Sequence, residues 1–182
     1  MSIPIRKFDR RQDHFQGYCQ SAIELIEFGD FGCAYSAMAY PEIKYLQDAL
    51  GDQLRFVFRP SSSPEQHPLA IPAFIAAEAA AKQGKFWYMH DMIFENQTFL
   101  YRSSFRKFAK EINLDLNRFE QDLNDPTIIQ NLQAELKMNW IAGITRTPGI
   151  FINGKRYHDF PDFAGLLSSC FHLIKEKSYR QL

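Results

Sequence analysis

The sequence predicts an α/β fold into which an all-helical segment is inserted. Three observations support this prediction. Two apolar runs in the first third of the chain flank a helical pattern, which is typical of a strand–helix–strand unit. The middle of the chain, residues 67–143, shows helical periodicity and no strand pattern. Residues 149–177 then show a short hairpin followed by one more helical pattern.

The first strand–helix–strand unit covers residues 21–59. The run "SAIELIEFG" at 21–29 contains β-branched and aromatic residues and predicts a buried strand. Residues 34–50 have a helical period, and Gly51 is placed to cap that helix. The run "LRFVFR" at 54–59 predicts a second strand, parallel to the first by the usual chain path of such units. The residues that the helix is expected to turn toward the core are Met38, Ile43, Tyr45, Leu46 and Leu50.

The rest of the chain divides into helices and one hairpin. Helical patterns cover residues 69–84, 85–97, 103–112, 116–123 and 126–143. "GIFING" and "KRYHDF" predict two short strands joined by an Asn-Gly turn, and residues 161–177 predict the closing helix. We therefore expect four parts: an N-terminal arm at 1–12, a first α/β part at 13–66, a helical insertion at 67–143, and a second α/β part at 144–182. Order is expected to begin near Asp13.

Composition restricts the class of function. Lys plus Arg and Asp plus Glu number 21 each, so the net charge gives no reason to expect a nucleic acid or a membrane as partner. The N-terminus lacks the apolar run of a secretory signal or anchor, and we expect a cytoplasmic protein. The three cysteines are far apart and the five histidines show no metal-ligand spacing, so neither a disulfide framework nor a metal site is predicted. Most of the histidines are expected at the surface or at helix caps.

The motif "FGCAYS" at residues 31–36 carries the candidate chemistry. Cys33 is placed where a strand gives way to a helix, and free N–H groups and the helix dipole at a helix N-terminus favour the thiolate, which is the nucleophile in disulfide exchange. The other reading of Cys33 is a buried, inert thiol. Ser36 lies one helical turn further on, where its hydroxyl could donate to the thiolate. Serine cannot resolve a mixed disulfide, because its hydroxyl oxygen does not form a stable bond to the cysteine sulfur.

Five segments in order resemble the DsbA-like thioredoxin family over roughly Asp13 to Leu173. They are "DHFQG", "IEFGDFGCAYS", "GDQLRFVFR", "HPLAIPAFIAAEAAAKQGKFWYMHDMIFENQ" and "TRTPGIFINGKRY". The resemblance implies a thioredoxin fold with a helical insertion and thiol–disulfide oxidoreductase activity. The family motif is usually Cys-Pro-x-Cys, whereas this chain has Ala34 in place of the proline and Ser36 in place of the second cysteine.

The resemblance also implies roles for residues outside the motif. Thr147 and Pro148 match the family's cis-proline position, which would present the Thr147 backbone to an extended substrate beside the thiol. The alternative for Pro148 is an ordinary turn proline. Glu27 matches a buried acid and is a candidate proton shuttle for Cys33, because burial raises a carboxyl pKa toward neutrality; the alternative is an acid that reaches solvent. Ala34 and Tyr35 join Thr147 and Pro148 as expected substrate contacts.

We expect a monothiol enzyme that reduces or isomerises mixed disulfides through Cys33. Cys19 precedes the strand that leads to Cys33 and is expected at its far end, and Cys170 reads as a core residue of the last helix, so neither is expected to resolve the intermediate. Protein or small-molecule disulfides and thiols are the expected partners, with glutathione as co-substrate and no bound cofactor.

Three alternatives stay open. The chain could be a transferase or isomerase of the glutathione transferase kappa type, although that type typically carries serine at the first motif position. It could also be a redox-inactive peptide-binding module. Finally, Ser36 is either a natural variant, which we favour, or an engineered serine that traps the mixed disulfide.

Overall fold

The computed structural model describes residues 5–62 and 65–179, with the side chains of 176–179 left out. One five-stranded sheet has the strand order β1-β3-β2-β4-β5. Its strands are β1 (His14–Gly17), β2 (Ile23–Gly29), β3 (Leu54–Pro60), β4 (Gly149–Ile152) and β5 (Lys155–Arg156). The helices are α1 (Ala34–Leu50), α2 (Ala70–Ala81), α3 (Phe86–Glu95), α4 (Arg102–Glu111), α5 (Leu116–Asp122), α6 (Pro126–Ile141) and α7 (Phe163–Tyr179). Within the described ranges, no helix combines the length and apolar character needed to cross a bilayer.

The described residues form two compact units. The first comprises residues 5–29, 38–59 and 148–179, and the second comprises 30–37, 60–62 and 65–147. The boundaries predicted from the sequence, with the helical insertion at 67–143, differ from this division mainly in that the motif residues 30–37 cluster with the helical segment.

The sheet belongs to the first unit and is built from short apolar strands. Strand β2 is buried along nearly its whole length and pairs antiparallel with β4, with Leu25 opposite Ile152. The β4–β5 hairpin turns at Asn153 and Gly154, which have φ values of 48° and 78°, the left-handed values that an Asn-Gly turn supplies at little cost. The Asn153 side chain accepts from the Glu24 N–H at 2.8 Å and thereby ties the turn to β2.

Strand β1 is a feature that the sequence did not predict. It pairs antiparallel with β3, with His14 opposite Phe58. The expectation that order begins near Asp13 is also corrected, because Arg59 on β3 is almost fully buried and its guanidinium reaches back to the N-terminal segment. It donates to Asp13 at 2.8 and 3.0 Å and to the backbone oxygens of Arg6 and Lys7. Residues 1–4 of the predicted arm lie outside the described part of the chain.

Helix α1 has the bounds that the sequence predicts, but two of its expected core residues are exposed. Met38 and Tyr45 are more than half exposed, whereas Ile43, Leu46 and Leu50 are buried as expected. The buried set recurs at intervals of three and four residues and so defines one face of the helix. Met38 and Tyr45 fall outside that face, and hydrophobic character alone misassigned them.

The second unit is mainly helical. Helix α2 is the most buried of its helices, and most of its buried positions are alanines, which allow neighbouring helices to approach closely. It packs against α3, α4, α5 and α6. Helices α5 and α6 each begin at an aspartate N-cap, Asp115 and Asp125, whose carboxylates accept from the first-turn N–H groups of Arg118 and Thr127. The sequence therefore encodes the starts of these helices locally.

Candidate active site

Cys33 is positioned by the loop that joins β2 to α1. Its N–H donates to the Asp30 carbonyl at 3.0 Å, and its carbonyl accepts from the Ala37 N–H at 3.1 Å as the first turn of α1 forms. The residue thus stands at the N-terminus of the helix, where the first N–H groups have no partner within the helix. This is the environment in which a cysteine sulfur is stabilised as an anion.

The Cys33 sulfur meets the backbone of Thr147. The residue is only 6% exposed, and Sγ lies 3.4 Å from the Thr147 carbonyl oxygen, to which the thiol donates. Two predicted site residues that are far apart in the sequence are therefore in direct contact. The carbonyl oxygen only accepts, so the hydrogen of this bond belongs to the thiol.

The other motif residues divide between the interior and the surface. Ser36 is fully buried, and its Oγ accepts from the Asp30 N–H at 3.2 Å. The expected donation from Ser36 to the Cys33 sulfur stays a prediction. Ala34 and Tyr35 are exposed, with Tyr35 at 62%, so the motif presents an aromatic side chain to solvent next to a nearly buried thiol.

Asp30 organises the loop, although sequence reasoning did not select it. The residue has no exposed surface, and its Oδ1 accepts from the Gly32 N–H at 2.7 Å. Its Oδ2 lies 2.8 Å from Nδ1 of His67. With the backbone bonds to Ser36 and Cys33, Asp30 makes hydrogen bonds to three residues of the loop.

Gln97 also holds the loop, from the segment between α3 and α4. Its side-chain amide donates to the carbonyl oxygens of Phe31 at 2.9 Å and Cys33 at 3.0 Å. The ring of Phe31 packs against Phe74 and Phe94 with centroid separations of 4.9 Å each. The loop is therefore bound by polar contacts at its backbone and by aromatic packing at Phe31.

Two of the five histidines depart from the surface or capping positions expected for most of them. His67 is half-buried against Asp30, and His90 on α3 is almost fully buried among aromatic rings, including Phe31 at 5.6 Å. His90 Nδ1 also lies 2.9 Å from an Asp91 carboxylate oxygen. A signal existed for His67, since it opens one of the segments that resemble the family, but a pairing with an aspartate 37 residues away cannot be read from local spacing.

Glu27 and Pro148 belong to the first unit. Glu27 is 1% exposed on β2, and burial raises its pKa from the ordinary 4.5 to about 8. Among the residues that the structure describes, Oε1 of Glu27 has no hydrogen-bond partner. The buried position agrees with the reading of Glu27 as an interior acid rather than one that reaches solvent. Pro148 is half-buried directly before β4.

All three cysteines lie in the described part of the chain and are free thiols. Cys170 on α7 is fully buried, and burial raises its pKa to about 11, so that it stays protonated and unreactive near neutrality. Cys19, between β1 and β2, is half-buried. No group of His, Cys, Asp and Glu side chains within residues 5–62 and 65–179 is arranged to hold a metal ion.

Several solved structures share this fold. BdbD from Bacillus subtilis, in its oxidised form, superposes with a TM-score of 0.79 at 20% identity, over 92% of this chain and 95% of that one. The alpha-DsbA1 protein of Wolbachia pipientis gives 0.81 at 16% identity, over 93% and 94%. The catalytic domain of Proteus mirabilis ScsC gives 0.77 at 18% identity, over 92% of each chain. At these identities the likeness shows the fold.

Curated relatives are more similar in sequence but much longer. The Na(+)/H(+) antiporter NhaA 3 of Salinispora tropica is 34% identical over 160 residues, and the NhaA antiporter of Herminiimonas arsenicoxydans is 36% identical over 148 residues. These matches cover 87% and 81% of this chain but only 24% and 23% of the antiporters. The chain thus spans about a quarter of their length. A family model described as thioredoxin matches residues 9–169, and the chain belongs to the thioredoxin family, with the DsbA-like form of the fold.

Proposed function

We propose that the chain is a monothiol thiol–disulfide oxidoreductase that acts through Cys33. One observation carries the proposal: the Cys33 sulfur lies at the N-terminus of α1 and contacts the Thr147 backbone, while the position three residues later is a buried serine bonded to Asp30. The family and fold support thiol–disulfide chemistry in general. The single sulfur in the motif supports the monothiol form of it.

The reaction proceeds in two exchanges. The Cys33 thiolate attacks the glutathione sulfur of a glutathionylated substrate, a new S–S bond joins Cys33 to glutathione, and the substrate sulfur leaves and takes up a proton. A second glutathione thiolate then attacks the bound glutathione sulfur, which releases glutathione disulfide and restores the Cys33 thiolate. The net reaction consumes one free glutathione: the glutathionylated substrate and this glutathione become the reduced substrate thiol and glutathione disulfide. The proposed setting is a reducing, cytoplasmic compartment, where glutathione is abundant.

Glu27 has the properties that a proton store for this cycle requires. Its pKa of about 8 means that it gives up or takes up a proton within the pH range in which thiols exchange. We therefore include Glu27 in the proposal as the group that exchanges protons with the reacting thiol. The test is the pH–rate profile of glutathione-dependent turnover, in which Glu27→Gln should remove an inflection near pH 8; an unaltered profile would exclude this role.

The exposed apolar and aromatic side chains of the second unit are of the kind that binds polypeptide substrates. Tyr35 projects from the motif, and Met138, Trp140 and Ile141 are all more than half exposed at the end of α6, shortly before Thr147. Apolar and aromatic side chains on a surface are typical of sites that bind other chains. We propose that they contact the polypeptide that carries the mixed disulfide, with Ala34, Thr147 and Pro148 as further contacts.

The direct test is turnover of a glutathionylated peptide with glutathione as reductant. Cys33→Ser should abolish turnover, whereas Cys170→Ser, the matched control at a buried thiol, should retain it. Turnover that survives in Cys33→Ser would refute the monothiol scheme. Thioether synthesis from glutathione and an electrophile, without peptide turnover, would support the transferase alternative. Peptide binding without any Cys33 reactivity would support the redox-inactive module.

A second candidate rests on the similarity to the antiporters. This chain corresponds to about a quarter of proteins named Na(+)/H(+) antiporters. We propose as an alternative setting that the same thiol chemistry acts on, or beside, a cation antiporter. Sodium–proton exchange should then change in vesicles that carry such an antiporter when the wild-type chain is added, and not when Cys33→Ser is added. Equal exchange with both proteins would remove this candidate.

A further inference from the structure

The Asp30–His67 pair joins the motif loop to the segment that precedes α2. The Asp30 side chain is 1% exposed and that of His67 is 24% exposed, and the Oδ2–Nδ1 distance is 2.8 Å. An ionised carboxylate can only accept hydrogen bonds, so Nδ1 of His67 carries the proton that points at Asp30. A hydrogen bond to a buried charge is among the stronger interactions in proteins.

Asp30 connects His67 to the segment that carries Cys33 by hydrogen bonds of its side chain and its backbone. Its carbonyl accepts from the Cys33 N–H, its N–H donates to Ser36 Oγ, and its second carboxylate oxygen accepts from the Gly32 N–H. Of these three contacts only the one to Gly32 is made by the carboxylate, so the position of the Asp30 side chain affects the path of the chain at Gly32, directly before Cys33.

The space at Gly32 indicates how closely His67 is held against the loop. A Cβ added to Gly32 would lie 2.5 Å from Cβ and 3.0 Å from Cγ of His67. Real Cβ atoms do not approach so closely, so glycine is required for His67 to reach Asp30. The absence of a side chain at position 32 and the presence of the histidine are thus two parts of one arrangement.

We propose that His67 is a positioning residue for Cys33 and acts through the buried Asp30 carboxylate. The histidine orients the Asp30 carboxylate, which in turn holds the Gly32 N–H and so keeps residues 30–33 on the path that places Cys33 Sγ at the helix N-terminus and beside Thr147. Loss of His67 leaves the buried Asp30 carboxylate without this hydrogen-bond partner, three residues from Cys33, and the loop then no longer holds the sulfur in its position. This inference rests on Cys33 being the nucleophile of the proposed function.

The test compares Cys33 alkylation by iodoacetamide in a set of folded variants, with the site of labelling assigned by mass spectrometry. His67→Leu should lower the rate about tenfold or more, the size expected when a hydrogen bond to a buried charge is lost. His67→Asn places an amide N–H near the position of Nδ1 and should recover most of the rate. His172→Leu, which removes an exposed histidine from α7, is the matched control and should leave the rate unchanged.

A double variant separates positioning through Asp30 from an independent or purely structural effect. If His67 acts through Asp30, Asp30→Asn combined with His67→Leu should lose no more reactivity than Asp30→Asn alone. The equilibrium constant for the Cys33–glutathione mixed disulfide, measured on the same proteins, should shift in parallel with the rate. If the rate losses of the two single variants multiply in the double variant, the proposal is overturned. An unchanged rate in folded His67→Leu would overturn it as well. Alkylation does not depend on turnover, so failure of the monothiol cycle would leave this test intact.

Discussion

Replacing Glu27 with glutamine should make the protein more stable at alkaline pH. Glu27 is buried on β2 with an oxygen that has no hydrogen-bond partner in the described part of the chain, and its pKa is raised to about 8. In the unfolded chain the same group returns to its ordinary value of 4.5. Between these two pKa values the folded protein therefore keeps a proton on Glu27 that the unfolded chain releases.

The sign and the size follow from this difference. Below pH 4.5 the group is protonated in both states and does not affect the pH dependence. Between 4.5 and about 8 the wild type loses about 1.4 kcal/mol of unfolding free energy per pH unit from this group, and above about 8 the loss is complete at about 5 kcal/mol. Glutamine resembles the protonated acid and does not titrate, so the variant escapes this loss.

Urea unfolding at several pH values between 5 and 9 measures the effect. The stability of Glu27→Gln relative to the wild type should increase steadily up to about pH 8 and then level off. Glu24→Gln is the matched control. Glu24 lies on the same strand, but its carboxylate forms an ion pair with Arg55. Parallel pH dependence of wild type and Glu27→Gln would refute the argument that Glu27 is protonated in the folded protein.

Three further substitutions test the loop and the hairpin. Gln97→Ala removes the donor to the Phe31 and Cys33 carbonyls, so it should lower the free energy of unfolding in urea by about 1–3 kcal/mol and slow the alkylation of Cys33. If both quantities are unchanged, Gln97 does not hold the loop. Gly32→Ala should lower the free energy of unfolding by about 1–3 kcal/mol, because the added Cβ overpacks against His67. A variant as stable as the wild type would show that the loop can shift to accommodate the methyl group. Asn153→Ala loses its bond to β2 and the left-handed preference of the turn, so its thermal midpoint should fall; an unchanged midpoint would count against that role.

Much of the fold follows from local patterns. The apolar run at 23–29, the helical period at 34–50 and the Asn-Gly turn at 153–154 each predict their element because the signal lies within the element itself. Strand β1 has only four residues, which is too short for alternation to be recognised, and it exists through pairing with β3. Its identification needed a partner some forty residues away.

The candidate site divides in the same way. Cys33 and Ser36 are recognisable from the motif, and Thr147 from the resemblance to the family, and the contact between Cys33 and Thr147 agrees with that expectation. Asp30, His67 and Gln97 were not selected, because their contacts join positions 37 and 64 residues apart. Apart from its place at the start of a segment that resembles the family, His67 cannot be told from a surface histidine in the sequence, because its contact is to a carboxylate 37 residues away.

Two consequences of the missing second cysteine can be examined with one substitution. Ser36→Cys places a thiol one helical turn from Cys33, and under mild oxidation the variant should lose both thiols and form an internal disulfide. Ser36 is buried and holds the Asp30 N–H, so the substitution also removes a good acceptor and should lower stability modestly. An oxidised variant that retains two free thiols at these positions would show that the side chains cannot meet.

The account depends most directly on Cys33 being a reactive thiol that no other cysteine can resolve. The measurement is mass spectrometry of the wild-type protein after exposure to glutathione disulfide, with the modified residue identified by peptide mapping. We predict a single glutathione adduct on Cys33 that persists until free glutathione is added and then disappears. An internal disulfide involving Cys19 or Cys170, or a Cys33 that takes up no glutathione in the folded protein, would contradict the account.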